Sequence, residues 1–183
     1  KCGFGAKRTM QIAQKLYEDG YITYMRTDGV TVSADAITAA RHYIDSHFGK
    51  SFLPASPKVY KTKSKNAQEA HEAIRPTDLN NAPGSLKLDS DQARLYDLIW
   101  KRMVASQMES AVFDQLIVDI AATDKSAVLR VSGSVVKFEG FLTLYQEGRD
   151  DDSDDDSNNR LPVLKKDEKL AVQSITPEQH FTE

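Results

Sequence analysis

Cysteine is almost missing from this chain: Cys2 stands alone among 183 residues. No internal disulfide can form, and the chain is expected to work in a reducing compartment, the cytoplasm. Long apolar runs are also missing. Nothing approaches the ~18 residues that a bilayer-spanning helix needs, and no charged-then-apolar leader follows Lys1, so membrane partners are not expected. No internal repeat is evident. The chain does not begin with methionine, and Thr182-Glu183 closes no element; a piece of a longer protein is expected. A hydrophobic content of 40% is enough for a packed core.

Net charge is -3, which taken alone disfavours nucleic acid. Its distribution reverses that reading. Residues 1–110 carry 16 Lys and Arg against 12 Asp and Glu, and residues 111–183 carry 8 against 15, so the two parts are +4 and -7. Six of the later acids are Asp150 to Asp152 and Asp154 to Asp156. Such a block has nothing to bury and is expected to be a disordered loop at about 147–160. A metal site needs carboxylates held in a defined geometry, which consecutive aspartates do not provide.

The periodicity divides the chain at about residue 110. A helix is predicted from Ala6 to Asp19 and closed by Gly20, with Met10, Ala13, Leu16 and Tyr17 as its apolar stripe. Lys7, Arg8 and Thr9 fall in its first turn, where free N–H groups favour an anion. Gly20 to Asp28 reads as a short strand, followed by a turn at Thr27-Asp28-Gly29. Ser33 caps a second helix, Ala34 to Phe48, closed by Gly49, with Ile37, Ala40, Ile44 and Phe48 facing inward. Pro54 and Pro57 argue against helix in residues 50–67, where Lys58, Lys61, Lys63 and Lys65 suit phosphate contacts or plain solvation. Gln68 to Arg75 is predicted as a short helix stopped by Pro76. Asp89 and Gln92 have capping-box spacing ahead of a long helix that buries Leu95, Leu98, Ile99, Met103 and Val104. Beyond Ser110 the period becomes alternating. Short strands are predicted around Leu116 to Ile120, Val128-Leu129, Val135 to Phe138, Phe141 to Leu144 and Leu170 to Val172, with Gly133 and Gly140 as punctuation.

Chemistry concentrates in Gly20-Tyr-Ile-Thr-Tyr-Met-Arg-Thr-Asp28. Alternation in a strand places Tyr24 and Arg26 on one side and Thr23 and Met25 on the other. A phenol beside a fixed cation suits attack on a phosphodiester, with the guanidinium on a non-bridging oxygen. For a bare Tyr-x-Arg, a half-buried tyrosine and a solvated arginine would be the ordinary explanation. Asp28 either orients Arg26 or caps the turn. His71 and Arg75, four apart, would share a helix face as a phosphate-binding pair. The zinc-protease pattern fails, because Arg75 stands where its second histidine belongs.

The nine-residue string closely resembles the active-site motif of type IA DNA topoisomerases. Gln68-Glu-Ala-His-Glu-Ala-Ile-Arg-Pro-Thr77 is similar to that family's other well-marked catalytic motif. Similarity also runs through Gly3-Phe4-Gly5, Arg8-Thr9 and Pro177 to Thr182, so it spans nearly the whole chain, and bacterial members resemble it most. Gly29 and Val32 depart mildly from the family pattern, which commonly has serine and leucine there.

The resemblance implies an α+β fold: a mainly helical, winged-helix-like catalytic domain over 1–110, then part of an antiparallel β arch domain over 111–183. It implies Tyr24, Arg26 and His71 as catalytic residues, with His71 near the scissile phosphate, assisting proton transfer or holding the backbone. Arg8, Thr9, Thr23, Arg26, Thr27, Asp28, His71 and Arg75 would contact DNA. The activity implied is ATP-independent cutting of one strand through a 5′-phosphotyrosine, strand passage and religation, which relaxes negative supercoils. Mg2+ would be bound outside this chain, and none within it. Single-stranded and negatively supercoiled DNA and the remaining domains of the same polypeptide are the implied partners of a monomer, and the chain alone should not relax DNA. Two other classes remain open: a non-catalytic winged-helix-type DNA-binding module in which Tyr24 merely packs, and a scaffold segment binding a protein or acidic tail.

Overall fold

The computed structural model describes residues 2–60, 72–145, 161–162, 164–174 and 176. The lysine-rich stretch beyond Tyr60, His71, the acidic run and the Pro177 to Thr182 end lie outside them. The chain forms two compact units, and the first comprises residues up to Phe113 together with the chain returning at Val136.

In this first unit α1 spans Ala6–Glu18, α2 Ala34–Phe48 and α3 Ser90–Ser106. The predicted ends hold because the caps are local. Ser33 accepts the Ala36 amide at 3.4 Å, and Asp89 and Gln92 form a reciprocal capping box. Gly20 leaves α1 at φ 79°, a left-handed turn that costs glycine little. Helices α1 and α3 pack together, and Ala13, Leu16, Ala40, Ile44, Leu95, Trp100, Met103 and Val104 form the core with Ile22 and Met25. Complete burial of a Leu or Ile side chain contributes roughly 1.5–3 kcal/mol. Two residues of the α1 stripe behave differently: Met10 and Tyr17 are exposed.

Several polar groups inside this unit are paired, while one terminal nitrogen of Arg41 and the Gln92 amide nitrogen are buried without a partner. The Trp100 indole donates to the Leu79 carbonyl at 3.1 Å, and the Tyr96 hydroxyl donates to that of Asn81 at 2.7 Å. Gln107, wholly buried, accepts from the Lys58 amide and donates to the Lys58 carbonyl, as a strand neighbour would.

The strand predicted over Gly20–Asp28 is not formed. One isolated antiparallel bridge, Ile22 to Pro76, takes its place. It is flanked by Thr23 N–H to the Arg75 carbonyl at 2.9 Å and Thr77 N–H to the Tyr21 carbonyl at 3.0 Å. The ladder stops because Ala73, next in register, is engaged elsewhere: its N–H donates to Thr31 O and its carbonyl accepts from the Thr23 hydroxyl. Residues 72–75 are also not helical. Pro76 restricts Arg75 to extended backbone, and the bonds with Thr23 replace helical ones.

Residues 141–144 were expected as strand, but Gly140–Thr143 is a 3₁₀ turn. Gly140, at φ 51°, lies directly under the Glu109 carbonyl, and the Phe141 amide donates to that carbonyl at 3.0 Å. The left-handed turn at Gly140 and the bond to Glu109 redirect the chain where a strand was expected.

The second unit comprises residues 114–135 and the described residues beyond 160. It holds most of a two-stranded sheet, β1 Val112–Ala121 and β2 Val128–Phe138. The turn between them is built by Asp124, which accepts from the Ser126 amide and hydroxyl. Arg130 clasps Asp119 across the strands at 2.6 and 2.9 Å. Leu116, Val118 and Ile120 are the partly covered face of β1, as their alternation predicts. Gly133 lies inside β2 and does not punctuate it, and Leu170 and Val172 are exposed and outside any strand.

Candidate active site

Two sequence motifs far apart in the chain meet here. The bridge at Ile22 and Pro76 and the bonds around it bring the described half of the second motif, Glu72 to Thr77, against Gly20–Asp28. Thr23 is the centre of this junction. Its hydroxyl donates to the Ala73 carbonyl and accepts from the Arg75 amide, both at 2.9 Å. The Thr77 hydroxyl closes the other end on the Gly20 carbonyl at 2.6 Å.

Past Thr23 the chain bends, and exposure alternates over the next residues. Met25 is buried at 7% exposure, while Tyr24, at 45%, and Arg26 face solvent. The Tyr24 ring meets Tyr17 edge to face, with centroids 5.3 Å apart and planes at 67°. Arg26 has no ion-pair or hydrogen-bond partner among the described residues. Thr27 accepts the Gly29 amide at 2.9 Å, which makes the expected turn, and the exposed Asp28 is engaged with a neighbour.

Arg75 is held inward. Its Nε donates to Glu72 Oε1 at 2.7 Å, one terminal nitrogen to Glu72 Oε2 at 3.0 Å and the other to the Pro76 carbonyl at 3.0 Å. Glu72 in turn accepts the amide of Ser33, the α2 cap, at 2.9 Å. Burial raises the Glu72 carboxyl, but the bonds from Arg75 and Ser33 outweigh it and hold the group below the usual glutamate range. Arg8 is engaged as well: its guanidinium pairs with Asp91 in the first turn of α3, with Nε at 3.0 Å, and lies over the Phe4 ring. Thr9 turns its hydroxyl back onto the Gly5 carbonyl at 3.1 Å.

Of the residues singled out in sequence, Tyr24 and Arg26 are thus both open to solvent. Thr23, Thr27 and Arg75 shape the backbone around them, Arg8 joins α1 to α3, and Thr9 bonds back onto the residue before α1. His71 lies outside the described residues, although its neighbour Glu72 is firmly anchored. Sequence reasoning did not single out Glu72 or the contact of Tyr17 with Tyr24. The opposite charges at Glu72 and Arg75 were a visible signal for the first; the second had none, because Tyr17 reads as part of an apolar stripe. Among the described residues no three His, Cys, Asp or Glu side chains gather in a way that could hold a metal ion, so these residues do not fit a magnesium site.

An exposed phenol and an open guanidinium on a braced backbone define the chain as a candidate phosphoryl-transfer surface, and comparison with known proteins places it more closely. The family model described as DNA topoisomerase matches residues 1–183. DNA topoisomerase 1 of Rickettsia conorii is 50% identical over 193 aligned residues, covering all of this chain and 25% of that protein. The Zymomonas mobilis protein of the same name is 48% identical, with 15% of its length covered. The full-length topoisomerase I structure from Thermotoga maritima superposes with a TM-score of 0.68 at 32% identity, over 92% of this chain and 27% of that one. The chain belongs to the DNA topoisomerase family, in its type IA branch, and spans about a quarter of the length of most of the relatives it matches.

Proposed function

We propose that this chain carries the nucleophile of a bacterial type IA topoisomerase: Tyr24 attacks a DNA phosphodiester and holds the cut strand as a 5′-phosphotyrosine. The observation that carries this reading is the exposure of both Tyr24 and Arg26 in a segment whose intervening Met25 is buried and whose Thr23 is bonded to Ala73 and Arg75.

The chemistry is transesterification. The Tyr24 hydroxyl gives up its proton as its oxygen bonds to phosphorus, the bond from phosphorus to the 3′-oxygen breaks, and the 3′-oxygen gains a proton and leaves as a hydroxyl, so that overall one proton passes from phenol to alcohol. A free tyrosine, with a pKa of about 10, is a weak nucleophile at neutral pH. Arg26 favours phenolate and carries the charge that grows on a non-bridging phosphate oxygen. His71, which lies outside the described residues, is assigned by the family resemblance to the scissile phosphate, assisting proton transfer or holding the backbone. The new ester resembles the old one in energy, so the 3′-hydroxyl reverses the step without ATP, and supercoiling strain supplies the direction.

Single-stranded and negatively supercoiled DNA, the remaining domains of the polypeptide and a monomeric, cytoplasmic enzyme complete the proposal. Magnesium belongs to residues outside this chain. No helix among the described residues is long and apolar enough to cross a membrane. DNA affinity of the chain alone rests on phosphate contacts and falls steeply with salt.

The test uses the full-length parent with magnesium and a labelled single-stranded oligonucleotide, trapped in denaturant. A 5′ adduct that disappears in Tyr24→Phe supports the proposal. Tight oligonucleotide binding without any adduct would overturn it in favour of a DNA-binding module.

A further inference from the structure

Tyr17 is an aromatic side chain that the core does not use. It follows Leu16, which is completely buried, yet it is 42% exposed on the last turn of α1. What its ring meets is Tyr24. The Tyr24 backbone is meanwhile fixed from the other side. The Tyr21 amide donates to the Leu16 carbonyl at 2.8 Å, the Tyr21 ring packs against Tyr96, and Thr23 is bonded to Ala73 and Arg75. Those bonds set where the Tyr24 Cα sits but leave two side-chain torsions free. An edge-to-face contact is favourable over a narrow range of ring directions, so Tyr17 restricts both torsions. A phenol attacking phosphorus must present its oxygen in line with the departing 3′-oxygen, and ring direction therefore enters the rate.

We infer that Tyr17 is a positioning residue for Tyr24, acting through its ring and not its hydroxyl; this rests on Tyr24 being the nucleophile. It touches no reacting atom. Its removal should slow adduct formation without weakening DNA binding, by roughly two- to tenfold given the strength of an aromatic pair.

The experiment is single-turnover adduct formation by the full-length parent with magnesium and saturating labelled oligonucleotide, with oligonucleotide affinity measured separately. The proteins are wild type, Tyr17→Phe, Tyr17→Leu and Tyr24→Phe. The expected result is a slowed Tyr17→Leu with unchanged affinity, a Tyr17→Phe within about twofold of wild type, and no adduct from Tyr24→Phe. A Tyr17→Leu protein that reacts at the wild-type rate overturns the inference and leaves Tyr24 as nucleophile. So does a Tyr17→Phe as slow as Tyr17→Leu, or a defect confined to affinity, which would make Tyr17 a DNA contact. Should Tyr17→Leu not fold, Tyr17→Met is judged by the same criteria. Absence of adduct from wild type, or an adduct that survives Tyr24→Phe, overturns the nucleophile assignment itself.

Discussion

Glu72 and Arg75 face each other through two parallel hydrogen bonds, 2.7 and 3.0 Å, and Glu72 takes a third from the Ser33 amide at the start of α2. This pair ties the second motif to a helix cap, and the Thr23 hydroxyl ties the same motif to the segment bearing Tyr24. The segment bearing Tyr24 thus rests on a charge pair that does not belong to it.

Replacing Glu72 tests that bracing. Glu72→Gln should lower stability by about 2 kcal/mol at neutral pH, since the partly buried Arg75 loses its charged partner. The Glu72 pKa is depressed in the folded chain, so its contribution is present above the unfolded glutamate value and is lost as pH falls through the lower folded value. Melting temperatures of wild type and Glu72→Gln should differ at pH 7 and converge in acid, below the ordinary glutamate range.

Tyr96 predicts the opposite limb. Burial, then the nearby Asp78 and Tyr21, push its phenol up to about 12. A raised folded value means that its contribution is complete below the unfolded pKa of about 10 and is lost as pH rises through the folded one. Tyr96→Phe should cost about 1 kcal/mol at pH 7 for the lost bond to Asn81 and be less sensitive to alkali than wild type. Urea melts at pH 8 and pH 11 measure both.

Two glycines separate strain from crowding. Gly20→Ala meets open space at φ 79° and should cost about 1 kcal/mol. Gly140→Ala would place a Cβ 2.5 Å from the Glu109 carbonyl at φ 51° and should cost at least about 3 kcal/mol. Equal denaturation midpoints for the two variants would contradict this account.

Arg8 and Asp91 join α1 to α3 on a surface where Arg8 is 62% exposed. A double-mutant cycle on stability should return less than about 1 kcal/mol of coupling. Asp91→Asn frees the guanidinium and should tighten oligonucleotide binding by the parent while steepening its salt dependence. Unchanged affinity would show that the Arg8 charge does not reach DNA.

Local rules carried much of this fold. Caps at Ser33 and Asp89, the stop at Gly20 and the apolar stripes of α2 and α3 depend on neighbours within one or two turns, so the sequence by itself determined where the helices lie. The same holds for the motifs that mark the family. Whether Gly20–Asp28 became strand and Glu72–Arg75 helix was decided at longer range. Both segments are short, and their backbone groups found partners about fifty residues away, at Thr23, Arg75 and Ala73, which no local propensity encodes. Tertiary packing likewise decided that Arg8 pairs with Asp91 and that the Tyr17 ring meets Tyr24. Charges and rings on a surface are settled by which partner the fold brings within reach.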